Sequence, residues 1–160
     1  MIRLACVLSL VVVTAGAARA DTVPKRVPGL WETVTSTNTG STKGRECIDE
    51  ATDRLVYQAS TALTCRKLNF ERSGDGYIAS GSCNSGGMAI EESITVTGDF
   101  ANSARAETNV SMSGLPGETA PRTFRTTIDN RRLGDCEPGQ QPGDVILPNG
   151  AVFHVAPPSR

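Results

Sequence analysis

MAIEESITVTG, residues 88–98, alternates along its length: Met88, Ile90, Ile94 and Val96 share one face, and Ala89, Glu91, Ser93, Thr95 and Thr97 share the other. A period of two is the signature of a half-buried strand. After a turn at Gly98–Ser103 the pattern repeats. Ala106, Thr108, Val110 and Met112 alternate with Glu107, Asn109 and Ser111. A loop at Gly114-Leu115-Pro116-Gly117 leads to Phe124, Thr126 and Ile128, which alternate with Arg125, Thr127 and Asp129. Three consecutive half-buried strands joined by short loops describe an antiparallel meander. No heptad, long helix or βαβ pattern accompanies them. The fold class is therefore all-β: a single antiparallel meander, a strongly curved sheet or incomplete up-and-down barrel of about seven or eight strands, with one short helix.

Working backwards, Cys65–Glu71 and Tyr77–Cys83 flank Ser73-Gly74-Asp75-Gly76, a hairpin signal because glycine accepts positive φ. With the hairpin axis at Gly74, Phe70 faces Ile78 and Cys65 faces Cys83. Opposed residues on antiparallel strands lie about 4.5–5.5 Å apart, a span that a disulfide bridges. Cys65–Cys83 is the expected pair, and by elimination Cys47–Cys136 ties the front of the domain to its end. Further upstream, Gly29–Ser36 reads as a strand and 37–44 (TNTGSTKG) as a polar turn region. Arg45–Ile48 is a short extended piece, and Asp49 caps a short helix running through about Ser60. Residues 21–28 are a proline-bearing lead-in without periodicity. Beyond Cys136 lies a Pro/Gly-rich tail, 137–160, in which Asn149-Gly150 between Val145-Ile146-Leu147 and Ala151-Val152-Phe153 suggests a small hairpin.

Residues 1–20 read as an export signal: Arg3, an apolar stretch from Leu4 to Ala18, then the small-x-small site Ala18-Arg19-Ala20. The stretch is shorter than the roughly 20 residues that span a bilayer, so no retained anchor is expected. The domain proper is 21–136, in a periplasmic or secreted protein cleaved after Ala20. Removing Arg3 and Arg19 takes the 16 basic residues to 14 against 17 acids, a net charge of −3. That balance argues against nucleic acid as a partner. It also leaves four of the five cysteines, an even set that reads as two disulfides in an oxidising compartment. Leu, Ile, Val and Phe number only 26 among residues 21–160. With so thin a core, cross-links worth ~2–4 kcal/mol each carry a real share of the stability.

Catalytic chemistry finds little support. The single histidine, His154, sits in the tail without an apparent carboxylate companion. The cysteines are expected as disulfides and not as nucleophiles, their spacing does not fit a metal site, and no glycine motif cradles a phosphate. An enzyme, a cofactor and a metal are therefore not expected. Glu92 breaks the alternation by falling on the apolar face between Ile90 and Ile94. A buried acid is costly unless paired. Glu92 should therefore sit at a β-bulge that turns it outward, or at a wet cavity edge, or face a partner such as Arg132. Gly29-Leu30-Trp31-Glu32 near the start and Arg131-Arg132-Leu133-Gly134 near the end resemble the arrangement in lipocalin-type barrels, where an arginine lies over the indole and closes the base. The plainer reading makes Trp31 the largest core residue.

The export signal, Pro28-Gly29-Leu30-Trp31-Glu32, the spaced cysteines and Arg131-Arg132-Leu133-Gly134-Asp135-Cys136 together resemble the bacterial domain-of-unknown-function family 3617 over about 28–136. The resemblance implies an exported, β-rich, disulfide-bearing domain and no assigned activity. The functional expectation is a non-enzymatic periplasmic module binding a small apolar ligand, with Trp31, Glu92 and Arg132 as ligand or closure contacts. The alternative is a structural or protein-interaction domain of the cell envelope, docking on or inhibiting an envelope protein.

Overall fold

The computed structural model describes residues 25–59 and 68–157. Among them are nine strands: β1 (Gly29–Thr37), β2 (Gly40–Ile48), β3 (Glu71–Ser73), β4 (Gly76–Ser85), β5 (Met88–Gly98), β6 (Ser103–Ser113), β7 (Arg122–Gly134), β8 (Asp144–Ile146) and β9 (Val152–His154). One five-residue helix, α1 (Leu55–Ala59), accompanies them. All nine strands form one antiparallel sheet in the order β3-β4-β5-β6-β7-β1-β2-β8-β9. The sheet is not closed into a barrel, since β3 and β9 remain edges. The expected all-β antiparallel architecture holds, and the meander runs unbroken from β3 to β7. The first strand then returns to pair with β7, so the two ends of the domain meet in the middle of the sheet.

Local sequence accounts for most turns. Gly86 and Gly87, at φ +58° and +83°, form the two-residue link between Ser85 and Met88. These are the positive values a primed hairpin turn needs. In the β5–β6 turn the Asp99 carboxylate accepts backbone N–H groups from Asn102 and Ser103, both at 2.8 Å, and from Ala101 at 3.1 Å. These donors hold its carboxyl well below the usual carboxylate range.

Several expectations shift. The β3–β4 register pairs Glu71 with Ile78 and Ser73 with Gly76, so the loop is Gly74-Asp75 and the axis lies half a residue beyond Gly74. A one-residue slip exchanges the faces of a strand. In the observed register Phe70 is buried, whereas Ile78 is 43% exposed. The turn region assigned to 37–44 is only Asn38-Thr39, and Gly40–Gly44 belongs to β2, paired with β1 along its whole length. Asp49 does not start the helix. Its Oδ1 accepts the N–H of Ala51 and Thr52 in a preceding turn, and Asp53 Oδ1 takes the N–H of Leu55 where α1 begins. The small hairpin expected around Asn149-Gly150 is present as β8–β9, and it is joined to the sheet, β8 pairing with β2 through Arg45–Ile146 and Glu46–Val145.

The core is thin, as the composition implies. Ile94, Val96, Ala104, Ala106 and Ile128 present one face of β5–β7 to Leu55 of α1, Phe70 and Ala79. Burying each large apolar member contributes roughly 1.5–3 kcal/mol. The alanines let α1 lie close to the sheet. Covalent support comes from Cys47–Cys136, as expected, with Cα atoms 5.4 Å apart. Cys83 is also disulfide-bonded. Its expected partner Cys65, like the export signal at 1–20, lies outside the described residues.

Candidate functional site

The lead-in that lacks periodicity holds the most elaborate polar cluster among the described residues. Arg26 is 1% exposed. Its Nη1 donates to Glu46 Oε1 at 2.6 Å and to Asn130 Oδ1 at 2.8 Å. Its Nε and Nη2 donate to Asp53 Oδ1 at 3.0 and 2.8 Å, and its backbone N–H donates to Asp53 Oδ2 at 2.6 Å. Thr33 Oγ1 lies 2.9 Å from both Glu46 Oε1 and Asn130 Oδ1. The guanidinium carbon stands 5.4 Å from the ring centroid of Trp31, whose Nε1 donates to Val27 O at 2.9 Å. The segment 25–28 is thus a strap across the indole. A charge this deep is tolerable only when its donors are satisfied by aligned acceptors, and four of the five guanidinium N–H groups are used.

This arrangement corrects the expected closure. Trp31 is fully buried, but the arginine over its ring is Arg26, not Arg132. Arg132 lies opposite Trp31 in the β1–β7 ladder and holds the strap from its edge. Its Nη2 donates to Pro28 O at 3.0 Å and to Asp135 Oδ1 at 2.8 Å. The register skips Leu133, a bulge that lets Gly134 face Leu30. Gly29 sits at φ +140°, and a Cβ there would lie 2.3 Å from Gly134 O, so glycine is required for both conformation and space. Glu32, next in line, pairs with Lys43 at 2.7 Å and Arg131 at 3.2 Å, and these two cations lower its pKa.

Glu92 is not at a bulge: β4, β5 and β6 pass it in unbroken register, and it points inward, 3% exposed. Arg132 is not its partner, although Glu92 does make interactions within the protein. It lies instead at a wet edge, lining an open groove of about 1030 Å³ across β4–β7 whose walls are mostly Ser, Thr and Asn, with Glu91, Val110, Phe124 and Arg125 among them. Of the residues expected to fill the interior, Ile94, Val96, Val110 and Ile128 are buried, and Phe124 is exposed. His154 does have a carboxylate companion, Asp144, 3.0 Å from its Nδ1 on the exposed hairpin. Asp144 has its pKa lowered by the N–H of Gln141 and by His154.

A second groove, about 540 Å³, opens beside the Arg26 cluster. Thr33, Thr35 and Glu46 of β1–β2 line it, with Gln58 of α1 on one side and Val145, Leu147 and Pro148 of the C-terminal hairpin on the other. Glu46 Oε1 is taken by Arg26 and Thr33, and Oε2 accepts from Gln58 Nε2 at 3.2 Å. Among the described residues no group of three or more His, Cys, Asp or Glu side chains fits a metal ion. Nothing in the sequence pattern foretells this site, because the side-chain partners of Arg26 lie 20 to 104 positions from it.

The model of a family described as a protein of unknown function, DUF3617, matches residues 26–136. The chain belongs to the DUF3617 family. The match begins at Arg26 and ends at Cys136, so the Arg26 cluster, Trp31 and the Cys47–Cys136 bridge fall within the DUF3617 region, whereas β8 and β9 follow it. No curated protein and no solved structure matches the chain.

Proposed function

We propose that this DUF3617 protein is an exported, non-enzymatic binding module that holds a small, mainly apolar ligand in the groove between β1–β2, α1 and the β8–β9 hairpin. The observation that carries the reading is the lining of that groove. Val145, Leu147 and Pro148 supply an apolar wall, set against polar residues of β1, β2 and α1 among which are Glu46 and Gln58. Small-molecule sites typically occupy about 300–1,000 Å³ and combine these two features. Export is supported by the Ala18-Arg19-Ala20 pattern and by disulfide use. Native mass spectrometry of the protein purified from the compartment to which it is exported tests the reading: a co-purified small molecule is expected, lost in Leu147→Asp, and a clean apo mass counts against it.

A second reading, docking on an envelope protein, draws on Val152 and Phe153, both more than half exposed on edge strand β9. Exposed apolar residues on a sheet edge invite pairing with another chain. Pull-down with the wild-type chain and with V152S/F153S separates the two: a partner lost with the double substitution favours docking.

A further inference from the structure

We infer that the ligand of the smaller groove is a cationic amphiphile, an apolar body carrying one ammonium or similar N–H donor head, with Glu46 Oε2 as the acceptor of that head. The inference rests on the proposed use of this groove and goes beyond it by naming the chemical class.

The first argument is charge balance. The buried cluster sets one guanidinium, Arg26, against two carboxylates, Glu46 and Asp53, all with side chains at most 6% exposed. Asp53 is fully engaged, accepting three N–H groups of Arg26 and the N–H of Leu55. Glu46 is engaged unevenly, its Oε1 accepting from both Arg26 and Thr33. Its Oε2 accepts a single neutral amide hydrogen, and that from Gln58, which is itself exposed. A carboxylate oxygen has room for more than one donor. The unmatched negative charge of the cluster thus faces the groove through Oε2.

The second argument is that neighbouring cations are committed elsewhere. Lys43 and Arg45 also border the groove, but in β2 they alternate with Glu46 and so project from the other face. There Lys43 pairs with Glu32 at 2.7 Å and Arg45 with Glu137 at 3.0 Å. Neither neutralises Glu46. An anionic ligand would meet the same carboxylate without a free cation to hold it, which is a penalty in a partly dehydrated site.

The third argument is the opposite wall. Val145 pairs with Glu46 across β2–β8, and the chain then turns through Leu147 and Pro148, with Leu147 N–H donating to Ala151 O and Gly150 N–H to Leu147 O. This places an apolar rim within one strand spacing of the carboxylate, suited to a chain or ring trailing from the donor head.

The test uses three probes of equal apolar length and different head: octylamine, octanol and octanoate, titrated into the full exported protein by calorimetry. Octylamine is expected to bind about tenfold more tightly than the other two, the ratio a charge-assisted hydrogen bond supports. Leu147→Ser is expected to weaken all three without changing their order, whereas Glu46→Gln, if it folds, removes the preference for the amine. Equal or tighter binding of octanoate or octanol to the unaltered chain overturns the inference and leaves the binding-module reading standing. Failure of all three to bind also overturns it. Combined with a clean apo mass, that failure overturns the module reading as well.

Discussion

The two ends of the described chain flank the same groove but are secured by opposite means. At the N-terminal end, residues 25–28 lie across Trp31, with Arg26 sunk among Glu46, Asp53 and Asn130. At the C-terminal end, the β8–β9 hairpin is joined to β2 by two residue pairs, and every residue of β9 is exposed. The first end is irregular in backbone yet immobilised by buried charge. The second is regular in backbone and lightly held. Regular secondary structure and local stability are therefore separate properties here, and burial, not hydrogen-bond pattern, decides the latter.

The sharpest way to break this contrast is Arg26→Ala. It leaves two buried carboxylates facing each other without their counter-charge, and a loss of about 3–5 kcal/mol is expected in urea unfolding. A loss below about 1 kcal/mol would mean that the strap does not seal the sheet. Next comes the bridge that anchors the start of the C-terminal segment. Replacing Cys47 and Cys136 together by serine opens a loop with a sequence separation of 89, and about 2–4 kcal/mol of destabilisation is expected by thermal melting. The hairpin itself should matter far less: V152S/F153S is expected to change stability by no more than about 0.5 kcal/mol, because neither side chain is buried. The exposed pair Arg105–Asp129, 2.5 Å apart and half-exposed on both sides, sets the baseline for surface charge. Arg105→Ala should also stay within about 0.5 kcal/mol, and that small effect should shrink further as salt is added.

A smaller effect concerns pH. Asp99 has its folded pKa depressed by the turn amides, so its contribution is complete above the unfolded value of about 3.9 and fades as pH falls through that value towards the folded one. Acid titrations should accordingly show Asp99→Asn removing this contribution at neutral pH and flattening the loss of stability below about pH 4, with the pH slope near neutrality unchanged. A flattening at neutral pH would place the responsible group elsewhere.

The meander was legible because β5 and β6 are each wet on one face and dry on the other, which writes period two into Ile94–Val96 and Ala106–Val110. In β7 the alternation of residue types from Phe124 to Ile128 is not matched by burial, Phe124 being exposed and Thr127 buried beside Ile128. β2 was only half legible. Gly40–Lys43 is exposed throughout, and a segment with no dry face leaves no alternation to read. Glu92 was flagged correctly as an exception, but its inward position follows from unbroken pairing on both sides. The candidate site escaped almost entirely. Arg26 stands in a proline-bearing lead-in, and its partners Glu46, Asp53 and Asn130 are 20, 27 and 104 positions away. Each alone has the look of an ordinary surface residue. β7 brings Arg132 alongside Trp31, yet Arg132 is drawn outward to Pro28 and Asp135, and Arg26 takes the place over the ring.

Period and composition alone determined the antiparallel run from β3 to β7 and the thinness of the core, because these depend on which faces are wet. Tertiary structure decided the return of β1 to the middle of the sheet, the strap over Trp31 and the groove beside Glu46. Those features arise from pairings and contacts that form only after the chain has closed, and a contact across a hundred residues leaves no periodic trace along the sequence.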